Sequence, residues 1–100
     1  MSKLIVKNLR GVRFEWDAAK AAANPLKHGG VTFDDAMEVF FDVGARWVDA
    51  SRNHENRLGV IGYGTTEHLL FVVHVEVADE GFRIISARRV TTAERAFYEG

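Results

Sequence analysis

Arg57, Arg83, Arg88 and Arg89, together with the Lys27-His28 pair, are the side chains in this sequence best suited to hold an anion and move a proton. A guanidinium stays charged at any ordinary pH, and its planar fork contacts two oxygens at once. Histidine changes charge near neutrality, so it can take or give a proton. Arg83 and Arg88 bracket the apolar run Ile84-Ile85-Ser86-Ala87. They either form surface ion pairs, for instance Arg83 with Glu76 across the 78–81 turn, or serve a ligand. Five residues apart on a regular strand, the two point to opposite faces. Joint action therefore requires a bulge; otherwise one is structural and Arg83 shares its face with Arg89. Arg57 opens an apolar segment close to His54 and reads as a solvated turn residue or as the cation of a site. Lys27-His28-Gly29 closes a helical segment, where the helix dipole favours a cation, so capping and proton transfer both remain open for His28. His74 lies in the most apolar segment and reads as a core or edge residue.

Other chemistries find no support. There is no cysteine, which excludes disulfides, thiolate metal sites and a cysteine nucleophile. The histidines at 28, 54, 68 and 74 lack ligand spacing and a carboxylate cluster, so neither a metal nor another cofactor is expected. Gly59, Gly62 and Gly64 precede no Lys-Ser/Thr helix and read as room for a bent strand. The 100 residues, 47% hydrophobic and 27% charged, suit one domain spanning 1–100. The N-terminal apolar run, Leu4-Ile5-Val6, is too short for a secretion signal or a membrane span, which points to a soluble cytoplasmic protein with no membrane partner. Net charge is −1, so any surface for nucleic acid must be local. The charges are segregated, with arginines over 81–100 and Asp34, Asp35, Glu38 and Asp42 over 34–42, as if on a basic and an acidic side.

The elements that must position these residues follow from periodicity. Val12–Trp16 alternates apolar and charged as a brief strand, and Asp17 caps a helix over the alanine-rich run that follows. Pro25 should kink or break that helix. Thr32 caps a second helix whose Phe33, Ala36, Met37 and Phe40 form one apolar stripe. From residue 45 the period becomes two: Ala45–Ala50, Arg57–Tyr63, Leu69–Val77 and Phe82–Val90 read as strands joined by polar turns, including Asn53-His54-Glu55-Asn56. Thr91 or Thr92 caps a last short helix, with Phe97 packing back. The expectation is an α+β fold with two N-terminal helices and a short C-terminal helix packed on an antiparallel sheet of about four strands.

An ordered series of residues is more specific than any one of these features. Phe14-Glu15-Trp16-Asp17, Lys20, Asn24, Lys27-His28-Gly29, Val31, Phe33, Ala36, Phe40 and Asp42 resemble the N-terminal half of BrnT toxins. Arg57, Gly62, Arg83-Ile84-Ile85-Ser86-Ala87-Arg88, Glu94-Arg95 and Tyr98 resemble the C-terminal half. The series runs from 14 to 98; the first ten or so residues precede the usual start, and Pro25 interrupts a helix that normally continues to Lys-His-Gly.

The resemblance implies a RelE-like fold, a metal-independent endoribonuclease acting as the growth-inhibiting toxin of a type II toxin–antitoxin pair, and a ribbon-helix-helix, BrnA-like antitoxin through which alone DNA is reached. Metal-free RNA cleavage needs a base for the 2′-hydroxyl, cations for the phosphorane and an acid for the leaving 5′-oxygen. On this reading Arg57, Arg83, Arg88, His28 and Lys27 are the catalytic candidates and Trp16 and Arg89 contact RNA. Trp16 either stacks on a base or anchors the first strand to the core. The rival reading is an interaction module or corepressor of the same fold, its three arginines engaged in salt bridges.

Overall fold

The computed structural model describes residues 2–51 and 56–100. The chain begins with a hairpin, β1 (Leu4–Leu9) and β2 (Val12–Asp17). It then forms α1 (Ala18–Lys27) and α2 (Phe33–Val39) and crosses to the far edge of the sheet. From there β3 (Arg46–Asp49), β4 (Leu58–Tyr63), β5 (Leu69–Val77) and β6 (Gly81–Arg89) return as an antiparallel meander, and α3 (Thr92–Glu99) follows. The meander's last strand docks beside β2, parallel to it, giving the order β1-β2-β6-β5-β4-β3.

The α+β class is as expected, but a four-stranded antiparallel sheet is not what forms: the described residues make six strands, and the β2–β6 pairing makes the sheet mixed. Two physical causes account for the difference. Residues 4–9 form a strand because Arg10 and Gly11 both adopt positive φ, 49° and 83°, as a two-residue hairpin turn requires. An arginine at the first turn position hides that signal. The parallel pair joins Arg13–Glu15 to Gly81–Arg83, a long-range register that no local pattern records. Gly81 permits it: at φ 140°, a Cβ there would lie 1.9 Å from the Arg13 carbonyl oxygen.

The helix also does not break at Pro25. α1 runs through it to Lys27, because the missing N–H costs one bond close to the end, and His28 N–H to Asn24 O (2.9 Å) with Gly30 N–H to Pro25 O (2.8 Å) closes the last turn. α2 is capped by Thr32 and α3 by a Thr91–Glu94 capping box, both as expected. Phe97 does not pack back; it is half exposed, with the Arg46 guanidinium 5.7 Å from its ring centre.

One sheet face and α2 enclose the core of Phe14, Trp16, Phe33, Ala36, Val72 and Ile84, extended by Phe40 and Phe82. The acids of 34–42 do not make a free acidic side. Lys7 pairs with Asp34 and Arg10 with Glu38, Asp35 accepts from Thr65 and Thr66, and Asp42 accepts from Tyr63 N–H and the Tyr98 hydroxyl. Among the described residues no helix is long and apolar enough to cross a membrane.

Candidate functional site

The end of α1 is tied to β6 by one buried side chain. The Asn24 amide donates to the carbonyls of Val31 (2.9 Å) and Ala87 (2.8 Å), and its oxygen accepts from Ala87 N–H (3.2 Å). Beyond Arg83, β6 has no strand partner on the β2 side among the described residues, and Asn24 stands in as a peptide group for that edge. This fixes Lys27 and His28 opposite the second half of β6.

On β6 itself the alternation is reset. Val73 pairs with Ser86 and His74 with Ile84, leaving Ile85 as an extra, bulged residue. Arg83 lies opposite Val75, Ser86 opposite Val73 and Arg88 opposite Phe71, so all three stand on the face away from the core. The bulge required for Arg83 and Arg88 to share a face is therefore present.

Two adjoining cavities open on that side. The first, about 440 Å³, lies between α1 (Lys20, Ala23, Lys27) and Ile85; the second, about 350 Å³, lies over Phe71 and Val73 and reaches Arg88. His28, Arg57 and Ser86 line both, so the two form one groove with a shared waist. Arg57 enters from the start of β4, its backbone held by Ala50 N–H to its carbonyl (2.9 Å) and by its own N–H to the Ser51 hydroxyl (3.3 Å). A shallow extension runs past His28 and Gly29 to Arg88 and Arg89. Lys20, Lys27, Arg57, Arg88 and Arg89 thus gather around one depression in a protein of net charge −1.

Arg88 is held in place. Its two terminal nitrogens each donate to a Glu94 oxygen at 2.8 Å, and its guanidinium carbon lies 4.7 Å from the Phe71 ring centre. The Glu94 bonds outweigh partial burial and hold the guanidinium above its ordinary pKa, while Arg88 in turn keeps Glu94 below the usual carboxylate range. Arg83 has a different partner from the Glu76 expected across the turn. Its Nε donates to Glu15 (2.5 Å), to which Arg13 also donates (2.6 Å), and Glu15 is only 3% exposed. Burial opposes ionisation there, but the bonds from Arg83 and Arg13 prevail and lower its pKa. Arg83 does not line the groove.

The remaining candidates separate. Trp16 is 3% exposed, edge-on to Phe33, in the core and away from the groove. His74 is fully buried among Phe40, Trp47 and Phe82, and burial lowers its pKa to about 4. Asn53, His54 and Glu55 lie outside the described residues. Among the described residues no group of three His, Asp or Glu side chains is arranged to hold a metal ion. Sequence reasoning missed Asn24, Glu15, Ser86 and Glu94 as parts of the site. Only Asn24 carried a local hint, being a poor helix former placed inside a helix.

The profile of the family described as "Ribonuclease toxin, BrnT, of type II toxin-antitoxin system" matches residues 16–94, which include the whole groove and leave out β1 and most of β2. The crystal structure of the Brucella abortus ribonuclease toxin BrnT is similar to this chain at 27% identity, covering 77% of this chain and 94% of that one with a TM-score of 0.62. No curated protein matches. With four-fifths of its length matched by the family profile and its fold shared with a solved member, the chain belongs to the BrnT ribonuclease toxin family of type II toxin–antitoxin systems.

Proposed function

We propose that the groove cleaves single RNA strands without a metal ion, and that this arrests translation and growth until an antitoxin covers the site. The observation that carries the reading is the shared waist: His28 from the end of α1, Arg57 from the start of β4 and Ser86 from the β6 bulge meet at one place, with Lys27 beside it. A phosphate at the waist has Arg57 to stabilise the extra negative charge of the phosphorane. The 2′-oxygen attacks the adjacent phosphorus while its proton passes to the His28 imidazole. The 5′-oxygen leaves with a proton supplied by Lys27, giving a 2′,3′-cyclic phosphate and a 5′-hydroxyl. Arg88 and Arg89 add cationic field along the path, and Arg83 acts from its Glu15 pair farther down the same face.

Membership of a type II family implies an antitoxin partner. We take it to be a ribbon-helix-helix protein of the BrnA kind, acting in the cytoplasm, through which alone the toxin reaches DNA, and the 100 residues to work as one domain. The test is incubation of purified protein with RNA in EDTA and mass analysis of the new ends. Cyclic phosphate termini that disappear in folded His28→Ala support the reading. A second reading, binding without catalysis, draws on the pairing of Arg83 with Glu15 and Arg88 with Glu94. RNA left intact by a protein that still binds its antitoxin would establish it.

A further inference from the structure

The second cavity has a different character from the first. Ala50, Phe71 and Val73 line it beside Arg57 and Arg88 and bring an aromatic ring, whereas the cavity along α1 has only aliphatic side chains, Ala19, Ala23 and Ile85, beside Lys20 and Lys27. Phe71 is half buried, and Gly59 makes room for it: a Cβ at Gly59 would lie 2.6 Å from the ring. Over that ring sits the Arg88 guanidinium, whose terminal nitrogens donate to Glu94 and to the Arg89 carbonyl, so the surface it leaves open is the face turned away from Phe71. Ser86 lines the boundary that this cavity shares with the first. At about 350 Å³ the space falls within the roughly 300–1,000 Å³ range of small-ligand pockets.

We propose that this cavity is a nucleobase subsite: it takes one unstacked base of single-stranded RNA next to the phosphate at the waist, against Phe71 and the Arg88 plane, with Ser86 at the base's edge. Single-stranded RNA is favoured because its bases can splay onto aromatic and guanidinium planes, whereas duplex bases are already stacked. Continuity with the cationic waist places the base beside the phosphate that would be cut. The proposal rests on the RNA-cleavage reading, yet its test does not need cleavage.

The probes are two fluorescent 2′-O-methyl oligonucleotides of equal length and charge, one with bases and one abasic, neither of which has a 2′-hydroxyl to react. The wild-type protein should bind the base-bearing chain at least about tenfold more tightly than the abasic chain, as expected when stacking contributes. Phe71→Leu, checked for folding by thermal unfolding, should bring that ratio below about threefold. Equal affinity of the wild type for the two chains overturns the subsite, as does an unchanged ratio in folded Phe71→Leu. Equal affinity with ordinary RNA still cut removes the subsite alone. A clear base preference with RNA left uncut keeps the subsite and removes the cleavage reading.

Discussion

Arg57 and Arg83 share a side chain but differ in surroundings, and their substitutions should separate accordingly. Arg57 lines both halves of the groove. Arg57→Ala should cost about 2–4 kcal/mol at the transition state, by analogy with loss of one preorganised donor. Arg57→Lys should restore only part of the rate, since it returns charge without the two-pronged geometry. Arg83→Ala removes one of two guanidinium groups from buried Glu15, so the main loss should be in stability, about 1–3 kcal/mol after allowing for the half-exposed Arg83 side chain. Urea unfolding beside RNA-cleavage rates for the two variants checks both. Groove residues such as Arg57, Lys27 and His28 were legible from side-chain chemistry and from their order along the chain. The partner of Arg83 was not, because Glu15 is 68 positions away and reaches it through a parallel register.

Between elements, the junction of α1 with β6 rests on Asn24. Asn24→Ala strands the N–H and C=O of Ala87 and the carbonyl of Val31 in a buried setting, and should destabilise the fold by about 2–4 kcal/mol in chemical unfolding. α3 is held differently: none of its residues is buried, and it is fastened by Glu94 to Arg88, Tyr98 to Asp42 and the Thr91 cap. The Asp42 bond pushes the Tyr98 hydroxyl up to about 12, so that latch stays protonated across the working range. Amide exchange should therefore be fast in α3 and slowest in the central strands β5 and β6; rapid exchange across both strands would contradict the sheet order. The strands of the meander were readable from their period of two. β1 was not, since four of its six residues are exposed and its turn lacks the usual residues.

For the molecule as a whole, pH acts through His74. Its pKa is about 4 when folded against an ordinary 6.5, because burial disfavours the charged ring, and its Nε2 has no partner among the described residues. Between these values the unfolded chain takes up a proton that the folded chain refuses. Stability should fall as pH drops from 6.5 to 4, by up to about 3 kcal/mol at roughly 1.4 kcal/mol per unit, and this contribution then levels off. Glu15, Asp42 and Glu94, with lowered pKa values, hold their contributions down to their ordinary values, 4.5 for the glutamates and 3.8 for the aspartate, and lose them as pH falls further. Replacing His74 by Leu should flatten the slope of melting temperature against pH above 4. Charge supplies a second global property. The acids of 34–42 are taken up internally while the cations border the groove, so antitoxin binding over Arg57, Arg88 and Arg89 should weaken as salt is raised. An interface confined to α2, with the groove open, would refute that.

The extra residue in β6 separates spacing along the chain from spacing on the sheet. Point substitutions at Ile85 that keep an apolar side chain should be well tolerated, because the backbone alone creates the offset between Ile84 and Ser86. Deleting Ile85 leaves every other groove side chain in the sequence and turns the bulge into a regular ladder: Arg83 stays opposite Val75, Ser86 opposite Val73 and Arg88 opposite Phe71, so all three still face outward. A one-residue deletion at Ile85 should thus be tolerated, whereas the same deletion within β5, which carries no spare residue, turns outward side chains inward; thermal unfolding and RNA cleavage of the two deletion variants check the difference.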